Sequence, residues 1–222
     1  MLKVYLHSRS AYCQKVLAVL YEKGIEFEPI VTDLFDPATR EAYCAEVNPL
    51  GKIPFLVRSD GWVIPESSII MEYLDTYFPT EPVLIAPDRD IARQVRFYDR
   101  LGDLYLIAPA GVLYREERKP ESERNASLTE QTRADALTAL RLFNAEVSVR
   151  KYLSAGHFTM ADIAPAIGIA ALARRGFDLA EFPNLLGYVE RVWSRPAWQR
   201  LRREMAAVGL DVRALPVVDG AA

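Results

Sequence analysis

The segment at residues 48–56 reads NPLGKIPFL, and its second proline indicates an unusual start to a strand. Pro54 has no backbone N–H and cannot donate a hydrogen bond to a neighbouring strand. A strand that begins here therefore leaves backbone groups at its start unpaired. If the Ile53–Pro54 bond is cis, the chain turns sharply and the N–H and C=O of Ile53 face outward. They can then pair with an extended peptide, as one more strand would. The segment predicts a site for a peptide backbone, with Lys52 beside it as a candidate for a carboxylate or as a solvated loop residue.

A second chemical feature follows Pro54 after twelve residues, where Glu66 and Ser67 precede an apolar helical pattern. Ser67 is therefore expected near a helix N-terminus, whose free N–H groups and positive dipole end suit a carboxylate. Glu66 could take an ammonium group. An ammonium and a carboxylate on one carbon, followed by a peptide backbone, describe a γ-glutamyl peptide. The simpler alternative is that both residues only start the helix.

Other signatures of catalysis are missing from the sequence. Gly51-Lys52 lacks the upstream glycine of a phosphate-binding loop, and neither G-x-G-x-x-G nor H-E-x-x-H occurs. The two histidines, His7 and His157, have no metal-ligand spacing to either cysteine. We therefore expect no protein-bound metal and no Ser-His-Asp triad.

These features must be positioned by a small mixed sheet and its helices. In the first eighty residues, short apolar runs alternate with helical patterns, in the order β-α-β-α-β-β-α. The sequence RSDG between the last two strands is a hairpin signal. The predicted elements are strands at 3–7, 27–31, 53–57 and 62–64, and helices at 10–23, 37–47 and 67–77.

Beyond residue 89 the strand patterns disappear. Helices are predicted at 90–114, 128–147, 159–174, 185–194 and 197–205, with a kink or break at Pro109. The fold class is thus an α+β first domain followed by an all-α second domain. The predicted divisions are a first domain at 1–78, a linker at 79–88, a helical domain at 89–206 and an irregular tail at 207–222.

Four motifs in this order resemble the glutathione transferase superfamily over residues 1–205. They are the segments NPLGKIP at 48–54, PESSII at 65–70, FTMADI at 158–163, and FPNL at 182–185 leading to RPA at 195–197. The resemblance implies a thioredoxin-like first domain, a helical second domain and commonly a homodimer. It implies glutathione as co-substrate, bound by Lys52, Ile53, Pro54, Glu66 and Ser67. In this family Thr159 and Asp162 would form the N-capping box of a buried helix.

The resemblance also implies that the sulfur of bound glutathione lies at the loop between the first strand and the first helix. Ser10 falls where serine-type classes carry their catalytic serine and where omega and glutaredoxin-like members carry a cysteine. A helix N-terminus and a hydroxyl hydrogen bond together could lower a thiol pKa by roughly one to three units. Ser10 is therefore the expected catalytic residue, with Ser8 and His7 as alternatives and a simple helix cap as the structural reading. Cys13 is expected to pack in the interior.

The predicted function is a glutathione transferase that conjugates the glutathione thiolate to small hydrophobic electrophiles. One alternative is a binding protein of the stringent starvation type, a transferase-fold partner of RNA polymerase. Another is a glutathione-dependent isomerase of the zeta class, although that class carries Ser-Ser-Cys where this chain has Ser10-Ala11-Tyr12. A stripe of Tyr98, Leu101, Tyr105 and Pro109 is expected to be core, or else a wall of the electrophile site.

Composition excludes several other classes. Half of the residues are hydrophobic, 26% are charged and the formal net charge is −3, as in an ordinary globular protein. No positive field favours nucleic acid or anionic lipid, and the arginines between residues 191 and 203 are read as a solvated helix face. No apolar run is long enough for a membrane span, and no secretory signal precedes the first strand. A cytoplasmic location is expected, with no membrane or nucleic-acid partner.

Overall fold

A computed structural model describes residues 1–213 and 215 of the chain. Its first part contains the predicted order of strands and helices, with bounds that differ from the predicted ones by at most a few residues. The elements are β1 (Leu2–Leu6), α1 (Ala11–Glu22), β2 (Phe27–Val31), α2 (Pro37–Glu46), β3 (Phe55–Val57), β4 (Val63–Pro65) and α3 (Ser67–Tyr77).

The four strands form one mixed sheet in the order β2-β1-β3-β4. β1 runs parallel to β2, with Leu6 opposite Val31, and antiparallel to β3, with Tyr5 opposite Phe55. β4 runs antiparallel to β3 and places Pro65 opposite Phe55. The ends of β1, β2 and β4 and the start of β3 therefore share one edge. The loops that follow or precede them, which hold the predicted site residues, all meet there.

In its described residues, the second part of the chain contains helices and connecting loops but no strand. It contains α4 (Arg89–Gly102), α5 (Ala108–Glu117), α6 (Ala126–Glu146), α7 (Ile163–Ala173), α8 (Pro183–Trp193) and α9 (Pro196–Ala207), together with short 3-10 turns. Residues 79–88 between the two parts contain no helix or strand. The domain divisions themselves stay a prediction, and residues 214 and 216–222 of the predicted tail lie outside the described residues.

The expected interruption at Pro109 takes the form of a π-helical turn rather than a break. Residues Asp103–Ile107 form this turn, and the N–H of Ala108 donates to the carbonyl of Asp103, five residues back. Pro109 then lies in the first turn of α5, directly after the π-helical turn, and has no N–H to donate back into it. The helix therefore continues from α4 to α5 with a local widening. Such widened turns occur frequently at functional sites.

The core of the helical part is built around α7, which is buried along nearly its whole length. Gly168 lets this helix approach the π-helical turn closely, because a Cβ there would lie 2.5 Å from the Cβ of Leu106. Trp193 and Trp198 pack edge to face beside it at 5.0 Å between ring centroids. No described helix is both long and apolar enough to cross a bilayer.

The start of α7 is held by the capping box that the resemblance implied. The Asp162 carboxylate accepts the N–H groups of Thr159 at 2.9 Å and Leu153 at 3.0 Å, and the Tyr188 hydroxyl at 3.1 Å. The Thr159 hydroxyl in turn accepts the N–H of Ala161 at 3.3 Å. Burial raises the pKa of Asp162 to about 6, although each of these donors favours the ionised form. The box thus supplies partners for buried donors that water cannot reach.

Replacing Asp162 by alanine should therefore destabilise the fold. Asp162→Ala leaves buried donors unpaired, and we expect the free energy of unfolding to fall by about 2–4 kcal/mol. Asp178→Ala is the matched control, because Asp178 accepts the N–H of Ala180 at 2.9 Å from an exposed position. That variant should lose about 1 kcal/mol or less. Urea titration measures both, and equal losses would contradict a special role for the buried box.

Candidate functional site

The shared edge of the sheet gathers the chemical features predicted from the sequence. Ser10 caps α1, and its Oγ accepts the N–H of Cys13 at 3.4 Å. The N–H groups of Ala11 and Tyr12 lie in the first helical turn and precede its first backbone bond, which Gln14 donates to Ser10. The Ser10 hydroxyl hydrogen and these N–H groups can stabilise an anion at the helix start.

The neighbours of Ser10 have structural partners instead. Cys13 is fully buried, and burial raises the pKa of its thiol to about 12, so it stays protonated at neutral pH. His7 accepts the N–H of Arg9 through Nδ1 at 3.1 Å. The side chain of Ser8 makes no hydrogen bond within the described residues, while its carbonyl accepts the Gln14 amide at 2.8 Å. Among these residues Ser10 is the one whose hydroxyl lies at the helix terminus.

The loop before β3 has the backbone form that the sequence predicted. The Ile53–Pro54 bond is cis, and β3 begins only at Phe55, so the backbone of Ile53 stays outside the ladder. The carbonyl of Lys52 accepts the Tyr43 hydroxyl and the Asn48 amide, each at 2.9 Å. These bonds hold the loop rigidly while the Lys52 side chain remains exposed.

Gly51 of this loop packs against Arg40 and Cys44 of α2, a contact that sequence reasoning missed. Gly51 has a φ of +57°, and a Cβ there would lie 2.9 Å from Cys44 Sγ on α2. The guanidinium of Arg40 lies over Gly51, at 3.7 Å from the same point, beside exposed Lys52. The positive pair suits a carboxylate at this end of the loop. A basic residue in the first turns of α2 was the available sequence signal.

Glu66 and Ser67 lie after β4, next to Pro54, because Pro65 pairs with Phe55. Glu66 has φ 68° and ψ 121°, a left-handed conformation that costs a non-glycine residue about 1–3 kcal/mol and is concentrated at functional sites. Its side chain makes no capping hydrogen bond. Ser67 is only 5% exposed, and its hydroxyl has no partner within the described chain. The strained backbone thus presents a carboxylate, a hydroxyl and the free N–H groups of α3 together.

A buried ion cluster under this edge was also not predicted. Lys15 is fully buried, and its Nζ lies 2.8 Å from Asp103, 3.0 Å from Asp99 and 3.0 Å from the Ser68 hydroxyl. Ser68 donates to Asp99 at 2.5 Å. Burial raises the pKa of Asp103, while the charge of Lys15 opposes that rise. The cluster joins α1 and α3 to α4 and the π-helical turn. Its only sequence signal was a lysine next to the apolar stripe of α1.

Charged residues of both the sheet edge and the helical part act on the hydroxyl of Tyr12. Burial raises the pKa of its hydroxyl first of all, and the negative charges of Asp103 and Glu66 add to that rise. The positive charges of Arg100 and Arg115 oppose it. Tyr12 therefore lies between the sheet edge and the helices that follow, close to both signs of charge.

Part of the stripe predicted as core or substrate wall is buried in the core, and part of it is exposed. Tyr98 is buried, donates to Glu146 at 2.7 Å and packs against Phe143, so it belongs to the core. Leu101 packs against the core, whereas Tyr105 is half exposed. The arginines near the C-terminus are engaged within the chain. Arg195 pairs with Glu22 at 2.6 Å, and the Arg200 guanidinium lies 3.9 Å from the ring centroid of Tyr21.

Two family models match the chain. The model for the glutathione S-transferase N-terminal domain covers residues 9–76, and that for the C-terminal domain covers residues 103–196. Glutathione S-transferase A of Pleuronectes platessa is 26% identical over 195 residues, which is 86% of either chain. A stringent starvation protein A homolog of Pasteurella multocida is 30% identical over 195 residues, 85% of this chain and 84% of that one.

A solved structure agrees with these relatives. The glutathione S-transferase of Methylobacillus flagellatus, determined with glutathione (GSH) bound, superposes with a TM-score of 0.81 at 29% identity. The alignment covers 90% of this chain and 98% of that one.

The contact between Gly51 and Cys44 gives a test of the loop geometry. Gly51→Ala should lower the free energy of unfolding by about 2–4 kcal/mol, because the new Cβ meets Sγ and the backbone remains left-handed. Gly61→Ala is the control, since Gly61 has a φ of +84° with nothing within 4 Å. The free energy of unfolding of this control should fall by only about 1–2 kcal/mol, the cost of a non-glycine residue in a left-handed backbone conformation. Adding Cys44→Ala to Gly51→Ala removes the sulfur that the new Cβ meets, so the double variant should lose no more stability than Gly61→Ala. Equal losses in the two single variants, measured by urea unfolding, would argue against the contact.

Proposed function

Because the chain belongs to the glutathione S-transferase family, we propose that it binds glutathione at the shared sheet edge and ionises its thiol beside Ser10. The observation that carries the proposal is the convergence of two helix N-termini, those of α1 and α3, with the unpaired backbone before β3. A tripeptide with a carboxylate at either end and a thiol between them fits that arrangement.

The γ-glutamyl end would lie at α3. Its carboxylate would accept the free N–H groups and the unpartnered Ser67 hydroxyl, while Glu66 would accept its ammonium group. The peptide part would pair with the backbone of Ile53 beside Pro54, as an added strand does. The glycine carboxylate would reach Lys52 and Arg40. This placement uses all of the binding residues predicted from the sequence, and adds Arg40.

With both ends fixed, the sulfur would lie at the N-terminus of α1. The Ser10 hydroxyl would donate to the thiolate, and the N–H groups of the first turn would add their positive dipole. A hydrogen bond to a charged acceptor contributes about 1.5–3 kcal/mol, which exceeds the dipole's usual 0.3–1 kcal/mol. The thiolate would then attack the electrophilic carbon. A carbon–sulfur bond forms, and the leaving group departs with the electron pair of its old bond.

We propose small hydrophobic electrophiles as the acceptors, with detoxification as the role and the cytoplasm as the location. Cys13 and Cys44 are both free thiols, which suits a reducing compartment. A homodimer also stays a prediction. The described surface that suits it best is the aromatic cluster of Trp62, Tyr73 and Tyr77 around Arg58, whose guanidinium lies 5.0 Å from the Trp62 ring centroid.

A non-enzymatic role like that of the stringent starvation proteins is the second candidate, because a relative with that name is 30% identical. Retention of Lys52, Glu66 and Ser67 favours the enzyme. A glutathione-dependent isomerase is less supported, since the loop at Ser10 lacks the serine-cysteine sequence of the zeta class.

Glutathione binding separates the enzyme from the binding protein. Calorimetric titration should give a dissociation constant between micromolar and low millimolar, weakened about tenfold or more by Glu66→Gln with Ser67→Ala. Glu130→Gln is the charge control, because Glu130 is an exposed residue of α6 with no ion pair within the described residues, and it should leave binding unchanged. No binding by the folded wild-type protein would overturn the proposal. Capture of RNA polymerase would then be the next measurement.

Ser10→Ala tests the ionisation step. We expect a loss of about 10- to 100-fold in turnover and an upward shift in the pKa of the bound thiol, because one charged hydrogen bond is removed. The pH dependence of the conjugation rate measures both. Ser8→Ala is the control and should leave the profile unchanged. An unaltered profile in Ser10→Ala would remove Ser10 from the mechanism.

A further inference from the structure

An aromatic and cationic cluster bridges the two parts of the chain beside the proposed site. Phe35 lies in the loop after β2, at the shared sheet edge, and its ring meets Tyr114 of α5 edge to face at 6.3 Å between centroids. The Arg118 guanidinium lies 5.0 Å from the Phe35 centroid and 5.6 Å from that of Tyr114. Arg175 lies 5.4 Å from the Tyr114 centroid on the helical side. Phe35 nevertheless remains 60% exposed.

One face of α5 carries this cluster toward Ser10. Four residues share this face because they occupy positions i, i+3, i+4 and i+7 of the helix: Gly111, Tyr114, Arg115 and Arg118. The guanidinium of Arg115 lies back along the helix over Gly111, 3.4 Å from where a Cβ would be. The contact between Tyr114 and Phe35 places this face at the sheet edge where β1 and β2 both end, so it lies on the same side of the sheet as the loop that leads to Ser10.

The carboxylate next to Arg115 in sequence is held by another cation, because Glu116 pairs with Lys119 at 2.6 Å, although the charge of Arg115 also helps to lower the pKa of Glu116. Arg175 pairs with Glu117, but within the described residues neither Arg115 nor Arg118 has a carboxylate partner. Within the described residues the one hydrogen bond of the Arg118 side chain goes to the Tyr114 hydroxyl, at 3.2 Å. The carboxylate of Asp103 is shared with Lys15. In this part of the chain, two guanidinium groups without a carboxylate ion pair thus lie on the same face of α5 as Tyr114.

We propose that the electrophile is an aromatic compound that carries an anionic group, such as a carboxylate. Its ring would stack against Phe35 and Tyr114, and its anionic group would bind Arg115 and Arg118. The inference rests on the proposed function and narrows it from hydrophobic electrophiles in general to aromatic acids. The carboxylates of glutathione do not need these arginines, because α3 and the Lys52 loop accommodate both.

Two pairs of matched compounds, each an acid and its amide, isolate the effect of the anionic group. 4-Chloro-3,5-dinitrobenzoate and its carboxamide share the reacting carbon, chloride leaving group and ring, and differ in charge. Each enzymatic kcat/KM is divided by the uncatalysed rate with glutathione to remove the difference in intrinsic reactivity. We expect a preference of about tenfold or more for the acid, as one charge-assisted contact provides. The preference should shrink as salt concentration rises.

A binding measurement keeps the inference separate from turnover. 3,5-Dinitrobenzoate and 3,5-dinitrobenzamide lack the chloride and cannot react, so calorimetry reports affinity alone. The Arg115→Gln/Arg118→Gln double variant should lose about tenfold in affinity for the acid and change little for the amide. Arg141→Gln, on the exposed face of α6, is the control for a lost positive charge. Glutathione affinity should stay the same in both variants.

The outcomes distinguish the two proposals. Acid and amide bound equally by the wild-type protein, or an acid preference that survives in the double variant, would overturn the inference even if conjugation occurs. An acid preference that the double variant abolishes would support it, even if neither chlorinated compound is turned over. That last result would contradict the proposed conjugation reaction but would support the proposed anion site.

Discussion

The buried ammonium of Lys15 is the interaction on which the arrangement of the site depends. A charged amine without water is tolerated only when acids and hydrogen-bond acceptors surround it, and removing one partner of such a pair costs about 3–5 kcal/mol. Its partners come from separate elements, since Ser68 lies in the first turn of α3, Asp99 in the last turn of α4 and Asp103 at the start of the π-helical turn. Because Lys15 itself lies in α1, one side chain fixes the positions of α1 and α3, whose N-termini form the proposed site, relative to the helical part.

The sheet provides the other constraint. With β1 parallel to β2 and antiparallel to β3, four loops that are far apart in sequence reach the same edge. Ser10, Pro54 and Glu66 each follow or precede a strand by a few residues. Their meeting is therefore a consequence of strand direction, and each loop needs only local devices to present its groups. Those devices are a cap at Ser10, a cis bond at Pro54 and a left-handed backbone at Glu66.

Local signals explain what the sequence could predict. The alternation of strands and helices, the capping box at Thr159 and the unusual bond at Pro54 depend on neighbouring residues, so they could be read before the structure was known. The position of Pro109 indicated an interruption but not its form, because a π-helical turn depends on what packs against it. Gly168 of α7, sixty residues away in sequence, provides that packing.

The contacts that sequence reasoning missed are those made by residues from distant elements. Lys15 reads as a helix-surface residue, Phe35 as an exposed loop residue and Arg118 as part of a charged loop. Only the fold brings Lys15 to Asp103, 88 residues away, and Phe35 to Tyr114, about as far away in sequence. The positive φ of Glu66 was equally hidden, because glutamate has no preference for that conformation.

The buried cluster does not by itself make the surroundings of Ser10 positive. The single ammonium of Lys15 is shared between two carboxylates, those of Asp99 and Asp103. The negative charge of Asp103 therefore still acts on Tyr12, where the positive charges of Arg100 and Arg115 oppose it. The proposed anion site for the electrophile depends on the exposed guanidinium groups that follow along α5, in a chain whose net charge is −3. The buried cluster contributes position instead, because the contact between Lys15 and Asp103 fixes where α5 begins relative to α1.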